Sequence, residues 1–315
     1  MKASAIVPNW NRAELLERLL RSAHAQTVRF DELIVVDNGS SDGSIGVAEA
    51  SGARVLRLDQ NRGFAYAVNR GVEAAQSEFV AILNNDVTLD RKWLEELLKA
   101  NADFACGLVL NDQDPTRIDG TFDLVTAGGL AWRAGSGEPA EDPRWQQPRE
   151  IQSAPMTAAL FRRTVFQRVG LLDESFESYL EDVDFGIRCA MNGIRGRYVP
   201  TAVARHKGSS TFGAWHPATV TLLSRNQVLL ISKHFPRHWV RRYGLPAIVG
   251  QILWGWSAWR RGKGAAWWRG KREGMTVFRR RIPAERDPGP VFAESRALLR
   301  NLAPNWFWKV NSWLG

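Results

Sequence analysis

The chain is poor in cysteine: Cys106 and Cys189 are its two thiols among 315 residues, and they lie in unrelated segments. Two such residues build neither a disulfide framework nor a metal knuckle, and they suit a reducing compartment. A convincing membrane span is also missing. The uncharged stretch from Tyr243 to Trp259 has 17 residues, the low edge of what a bilayer needs, and Pro246, Gly250, Gln251 and Gly255 interrupt it. The apolar part of Met1 to Pro8 is too short for a signal peptide and reads as a first strand. Internal repeats and low-complexity tracts are absent, as is the Gly-Lys-Ser/Thr ending of a P-loop. Acid is scarce in one region. Between Pro236 and Arg286, 13 basic residues face Glu273 and Glu285 alone, a local charge of +11 against +9 overall, so the remainder is weakly acidic at −2.

What is present is the composition of a globular protein, 44% apolar and 24% charged, long enough for one large or two smaller domains. Short apolar runs alternate with helical patterns over the first hundred residues. Strands are expected at Ala5–Val7, Leu33–Val36, Arg54–Leu58, Phe79–Leu83 and Phe104–Leu110, with helices at Glu14–Ala23, Gly63–Ala75 and Asp90–Ala100. That alternation predicts an α/β fold, a mainly parallel central sheet with helices on both faces. From Asn111 to Ser153 the pattern dissolves into Gly, Asp, Pro and isolated Trp, too long for a plain connection and expected to be a partly ordered functional loop. Periodicity returns at Ala158–Val169 and Asp182–Met191, and a helix is expected from Leu222 to Phe235.

Chemistry concentrates where strands end. Asn84-Asn85-Asp86 closes the apolar run Phe79–Leu83, and open parallel sheets bind ligands outside such carboxyl ends. An Asp fixed there can hold a divalent cation that grips phosphate oxygens, although Asx-rich turns use the same residues. Asp37 ends a second buried run and can accept hydrogen bonds from a base or ribose, while Ser41 or Asp42 caps the next helix. Asn61-Arg62-Gly63 opens a helix whose first amides suit an anion. Glu181, Asp182 and Asp184 crowd one helix start; the macrodipole accounts for one or two of them at about 0.3–1 kcal/mol each. A carboxylate shielded among the others has a raised pKa, as a general base needs. His206 sits in a polar, glycine-rich setting as a candidate ligand.

Val7-Pro8-Asn9-Trp10-Asn11, Ile34 to Gly43, Asn61 to Gly71, Leu83 to Val87 and Glu181 to Arg188 occur in that order, with a following histidine. Together they resemble family 2 glycosyltransferases of the GT-A fold, nearest the bacterial rhamnosyltransferase-like branch, over roughly residues 3 to 235. The resemblance implies an inverting transfer from a nucleotide-diphosphate sugar, with dTDP-rhamnose as the donor the branch suggests, to a glycan acceptor that is polyprenyl-diphosphate-linked. It implies Mg²⁺ or Mn²⁺ on Asp86 and His206. It assigns the nucleotide to Pro8, Asn11, Asp37, Asn38, Asn61, Arg62, Gly63, Asn69, Asn84 and Asn85, and catalysis to Asp182 as base beside Glu181. Asn84 stands where many relatives carry the first Asp of the metal motif, and Thr157-Ala158-Ala159 where the branch often has Gly-Ala-Ala. A nucleotide-sugar half over 1–110, an acceptor and catalytic half over 111–235 and an extension over 236–315 are expected. A sugar nucleotidyltransferase and a catalytically impaired sugar-nucleotide binder are the competing readings.

The extension is basic and rich in tryptophan: Trp239, Trp254, Trp256, Trp259, Trp267, Trp268, Trp306, Trp308 and Trp313 are nine of the chain's fourteen. Rings at headgroup depth and cations on anionic lipid suit a membrane surface. The expected arrangement is a helical extension peripheral on the inner, cytoplasmic face of the cell membrane. Nucleic acid, which basic aromatic patches also bind, is not the expected partner.

Overall fold

The computed structural model describes residues 1–208, 215–236, 239–278 and 287–302. Glu285, Arg286, Trp306, Trp308 and Trp313 lie outside them, as do Arg237, Arg279, Arg280 and Arg281 of the basic stretch, and of Trp239 only the backbone is described. Two compact units emerge, one of residues 1–123 and 133–208, the other of residues 124–132 and 209–315.

The first unit alternates β1 (Ala3–Asn9), α1 (Ala13–His24), β2 (Glu32–Asp37), α2 (Ser44–Ala50), β3 (Arg54–Arg57), α3 (Phe64–Ala74), β4 (Phe79–Leu83), β5 (Val87–Leu89), α4 (Trp93–Lys99) and β6 (Phe104–Asn111). Next come β7 (Ile118–Gly120), the hairpin β8 (Asp123–Val125) and β9 (Ala131–Arg133), of which only Asp123 and Arg133 belong to this unit, and then β10 (Arg149–Ile151), β11 (Ala158–Arg162), α5 (Arg163–Val169), α6 (Glu181–Met191) and β12 (Gly196–His206). The chain leaves this unit after Asp123 and re-enters it at Arg133.

The central sheet runs β10-β12-β6-β11-β4-β1-β2-β3. Its β4-β1-β2-β3 block is parallel, as the alternation predicts, while β11 runs antiparallel between β4 and β6, so the whole sheet is mixed. Helices cover both faces. Ala3, Ala5 and Val7 of β1 pack with Leu16, Leu19 and Leu20 of α1 and Trp93, Leu94 and Leu97 of α4. The opposite face meets α3, where Gly71 lets the helix approach: a Cβ there would lie 2.3 Å from Cγ2 of Ile6.

Two segments differ from expectation for physical reasons. The stretch 111–153 is ordered by strands of three residues each, too short for alternation to register. His206 sits at the end of the eleven-residue β12, a strand the sequence pattern did not announce. That strand alternates buried and exposed residues around Pro200, which falls where the register with β6 shifts between Val199 and Val203. A proline, lacking an N–H, is tolerated at such an irregularity.

The second unit contains α7 (Pro217–His234), α8 (Trp239–Arg260), α9 (Gly264–Phe278) and α10 (Gly289–Leu302). No helix among the described residues is long and apolar enough to cross a membrane.

Candidate active site

Four strand ends bring the polar residues together. β1 and β2 are parallel with Asn9 opposite Asp37, so both side chains emerge at one edge. Asn9 donates to Oδ1 of Asp37 at 3.4 Å and accepts from Nδ2 of Asn85 at 2.8 Å. The buried Asn9 therefore ties the Asp37 corner to the Asn84-Asn85-Asp86 corner. Asp37 also accepts the amide of Ser40 at 3.0 Å, which folds the turn after β2 back beneath it. Asn11, in the left-handed region at φ 57°, accepts the amide of Ser41 at 3.0 Å. Asn38 donates to Oδ1 of Asn61 and to the carbonyl of Gly63 and accepts the amide of Arg62, gathering those residues into one cluster. Pro8 lies buried in β1, opposite Val36 of β2.

The α3 start does not work as an open anion cradle. Phe64 N–H donates to Oγ of Ser178 at 3.2 Å and Ala65 N–H to the carbonyl of Glu177 at 2.9 Å. Its amides are already engaged by the segment that leads into α6. Gly63, at φ 87°, is required here because a Cβ would come within 2.7 Å of the Glu177 carbonyl oxygen. Asn69 is likewise committed to structure. Its amide donates to the carbonyl of Leu172 and to Oε1 of Glu174, and its oxygen accepts the Leu172 amide. This buried side chain is spent on the turn before α6, away from the nucleotide role the resemblance implies for it.

That turn is strained. Glu177, Tyr179 and Leu180 all have positive φ (59°, 73° and 67°), a conformation that costs non-glycine residues about 1–3 kcal/mol each and clusters at functional sites. It delivers Glu181 and Asp182 to the first turn of α6. Asp184 has a structural task, an ion pair with Arg188 at 3.0 Å, while Arg188 also donates to the carbonyls of Val169, Gly170 and Leu171. Glu181 and Asp182 have no such explanation. Oε2 of Glu181 is buried without a hydrogen-bond partner.

Asp86 and His206 meet because β12 pairs with β5, His206 opposite Val87, and because the Lys207 amide donates to the Asp86 carbonyl. Nε2 of His206 lies 3.1 Å from Oδ1 of Asp86, and Nδ1 lies 2.9 Å from Oδ2 of Asp119 on β7. Burial opposes charge on His206, but the hydrogen bonds and charges of Asp119 and Asp86 prevail and lift its pKa to about 9. For Asp119, burial opposes ionisation, yet His206 and Arg133 hold its pKa below the usual range.

The row continues toward the acids of α6. Arg133 stands 3.7 Å from Asp119 and 3.7 Å from Asp123. Burial, then the charge of Asp182, raises the Asp123 pKa to about 7 against the pull of Arg133. Asp182 is raised by burial, with Arg133 and the amides of Val183 and Met156 holding it down. Glu181 is pushed well up by burial and by Asp182. A second link joins the same ends: the Asn84 amide donates to the Thr157 carbonyl at 2.9 Å, and the adjacent Met156 amide donates to Oδ2 of Asp182 at 3.4 Å. The sequence reading missed Asn9, Asp119, Asp123 and Arg133. A polar residue ending β1 was a legible signal for Asn9; the other three lie in the stretch where pattern failed.

The glycosyl transferase family 2 profile matches residues 4–170, and that of glycosyl transferase family group 2 matches residues 150–217. The N-acetylglucosaminyl-diphospho-decaprenol L-rhamnosyltransferase of Mycobacterium tuberculosis is 30% identical over 226 residues, covering 62% of this chain and 73% of that protein. The pre-mycofactocin glycosyltransferase of the same organism is 31% identical over 217 residues, 67% of this chain and 44% of the relative. Among solved structures, the mannosyltransferase PcManGT of Pyrobaculum calidifontis, in complex with GDP-Man and Mn²⁺, superposes with a TM-score of 0.56 at 18% identity over 99% of this chain and 84% of its own. GalNAc-T7 with UDP, GalNAc and Mn²⁺ gives 0.58 at 15% identity over 89% of this chain and 54% of its own. The chain belongs to glycosyl transferase family 2, with the GT-A fold and a likeness to the rhamnosyltransferase-like branch of that family.

Proposed function

We propose that this glycosyltransferase moves a sugar, with inversion, from a nucleotide-diphosphate donor to a hydroxyl of a glycan acceptor in cell-surface polysaccharide synthesis. The donor is dTDP-rhamnose and the acceptor is carried on a polyprenyl diphosphate. The 30% identity to a rhamnosyltransferase whose name specifies a diphospho-decaprenol substrate supports the rhamnosyl group and the lipid-linked acceptor. The reading places the protein on the inner face of the cell membrane, supported by the basic, tryptophan-rich second unit.

The observation that carries it is the Met156–Thr157 segment, which hydrogen-bonds at one end to the metal-motif corner and at the other to Asp182. In this reading Asp37, Asn38, Asn9 and Asn11 hold the nucleoside at the ends of β1 and β2, with Asn61, Arg62, Asn84 and Asn85 around it. Asp86 and His206 would hold a divalent cation in exchange for the proton that His206 now carries between its two carboxylates. One is a carboxylate and the other an imidazole facing it, and His206 carries on its second nitrogen the carboxylate partner that metal-bound histidines usually have. Among the described residues no group of three or more His, Cys, Asp or Glu could hold a metal, and a cation on Asp86 and His206 would take further oxygens from the donor diphosphate. Mg²⁺ or Mn²⁺ bound there neutralises charge on the departing nucleoside diphosphate.

Asp182 takes the proton of the acceptor hydroxyl as that oxygen attacks the anomeric carbon. Burial raises its pKa, as this task asks, while Arg133 opposes that rise. Glu181, pushed well up by burial and by Asp182, keeps one oxygen buried without a hydrogen-bond partner and turns it to the substrate. One displacement inverts configuration without an enzyme nucleophile.

A panel of nucleotide sugars, screened by thermal shift with and without Mn²⁺, tests the reading. A metal-dependent shift with a thymidine- or uridine-diphosphate sugar, lost in Asp86→Ala, is expected. A shift indifferent to chelation, or synthesis of a nucleotide sugar from sugar phosphate and nucleoside triphosphate, contradicts it.

A further inference from the structure

Helix α8 is apolar on two opposite sides. Tyr243, Ala247, Gly250, Ser257 and Ala258 are buried, and between them Gln251 and Trp254 also turn inward. Gln251 donates to the Gly128 carbonyl at 3.0 Å and accepts from Nζ of Lys271, while Trp254 Nε1 donates to Oγ of Ser224 at 2.9 Å. Lys271 also donates to the Ser224 carbonyl and to Oε1 of Gln227, both at 2.9 Å. The inner side is a protein-facing surface with polar fixings.

The outer side repeats at helical spacing with no charge in it. Leu245 is 73% exposed, Ile252 62% and Trp259 71%, with Ile248, Val249 and Trp256 exposed between them. Fourteen helical steps make this stripe about 21 Å long. A helix that is apolar all round belongs in a core or against lipid, and large contiguous apolar patches mark interaction sites. The stripe continues into an open cleft of about 420 Å³ lined by Ile252, Gly255, Trp256, Trp259, Trp267 and Trp268. That lies within the roughly 300–1,000 Å³ of ligand pockets.

Cations rim the stripe at both ends. Exposed Arg241 and Arg242 precede it; Arg260, Arg269 and Arg272 follow, all exposed, with Arg260 over the Trp256 ring at 5.0 Å. A second copy on this face by two-fold symmetry would set those arginines against themselves, and like charges disfavour such pairing. An anionic leaflet complements them, with apolar side chains below the headgroups and guanidinium groups among them.

We infer that the outer stripe of α8, with the α8–α9 tryptophan cleft, inserts into the headgroup–acyl boundary of an anionic bilayer, the cleft holding a hydrocarbon segment. This rests on the membrane-surface part of the proposed function and names the face responsible. The helix lies in the surface and does not cross it, because its other side is spent on α7, α9 and the Gly128 carbonyl.

The test is flotation of the full chain with vesicles of neutral phosphatidylcholine or of phosphatidylcholine with phosphatidylglycerol, without nucleotide sugar, so that it reads independently of turnover. Binding to the anionic vesicles should exceed that to neutral ones about tenfold and fall with salt. Tryptophan emission should be quenched by brominated acyl chains. Ile252→Glu and Trp259→Glu, on exposed sites and checked by circular dichroism, should each lower binding about tenfold; Arg260→Glu with Arg269→Glu should remove the preference for anionic lipid. Equal or absent binding to both vesicles overturns the inference. So do unchanged binding by the stripe variants, a dimer that Ile252→Glu splits without any vesicle binding, and displacement from vesicles by single-stranded oligonucleotide.

Discussion

Arg133 sits 3.7 Å from Asp123 and, on its other side, 3.7 Å from Asp119, whose carboxylate holds Nδ1 of His206. One guanidinium thus stands between the histidine that faces Asp86 and the acids of α6. It opposes the upward shift of the Asp182 pKa. In Arg133→Leu the carboxyl should titrate higher, so the acid limb of the pH–rate profile moves up in pH and activity near pH 7 falls. Arg133→Lys, which keeps the charge, should restore much of the limb's position. A profile unmoved in Arg133→Leu would remove the arginine from this role.

The turn feeding α6 is held by α3, and its strain should be measurable. Gly63→Ala places a Cβ against the Glu177 carbonyl in a backbone conformation that alanine resists, a loss of about 1–3 kcal/mol. Asn69→Ala strips two buried hydrogen bonds to Leu172 and a half-buried one to Glu174 and should lower the denaturation midpoint. Both substitutions should reduce kcat more than they weaken nucleotide affinity, read by calorimetry beside turnover. Equal losses would instead return Asn69 to the nucleotide pocket.

Asp123 has a folded-state pKa of about 7, above the 3.8 of an unperturbed aspartate. The folded state then binds the extra proton between those values, so its stability falls as pH rises through that window. Asp123→Asn cannot ionise and should melt higher than the parent chain at pH 8, with the difference gone below about pH 4. Thermal melts across that range check the sign.

The α/β alternation, the strand ends and the acids of α6 were legible because each sits on a long or strongly patterned element. Phe79–Leu83 is fully buried and ends in three polar residues, which a core strand does not do without a ligand or a turn. Asp119, Asp123 and Arg133 were hidden for the opposite reason. They sit on strands of three residues whose partners are distant in sequence, so no local period announces them. His206 was found as a residue without its strand, since Pro200 and the arginines of β12 disguise one. Asn69 matched its motif in letter while its side chain serves the turn. Order along the chain identifies a family; only contacts divide its residues between chemistry and scaffold.

The central claim is that a proton-accepting aspartate faces a diphosphate-holding corner across the Met156–Thr157 segment. Single-turnover transfer by Asp182→Asn, measured beside calorimetric binding of the donor, tests it most directly. Transfer slowed by about two to four orders of magnitude with donor affinity nearly unchanged is the predicted result. Near-normal transfer in that variant would contradict the account.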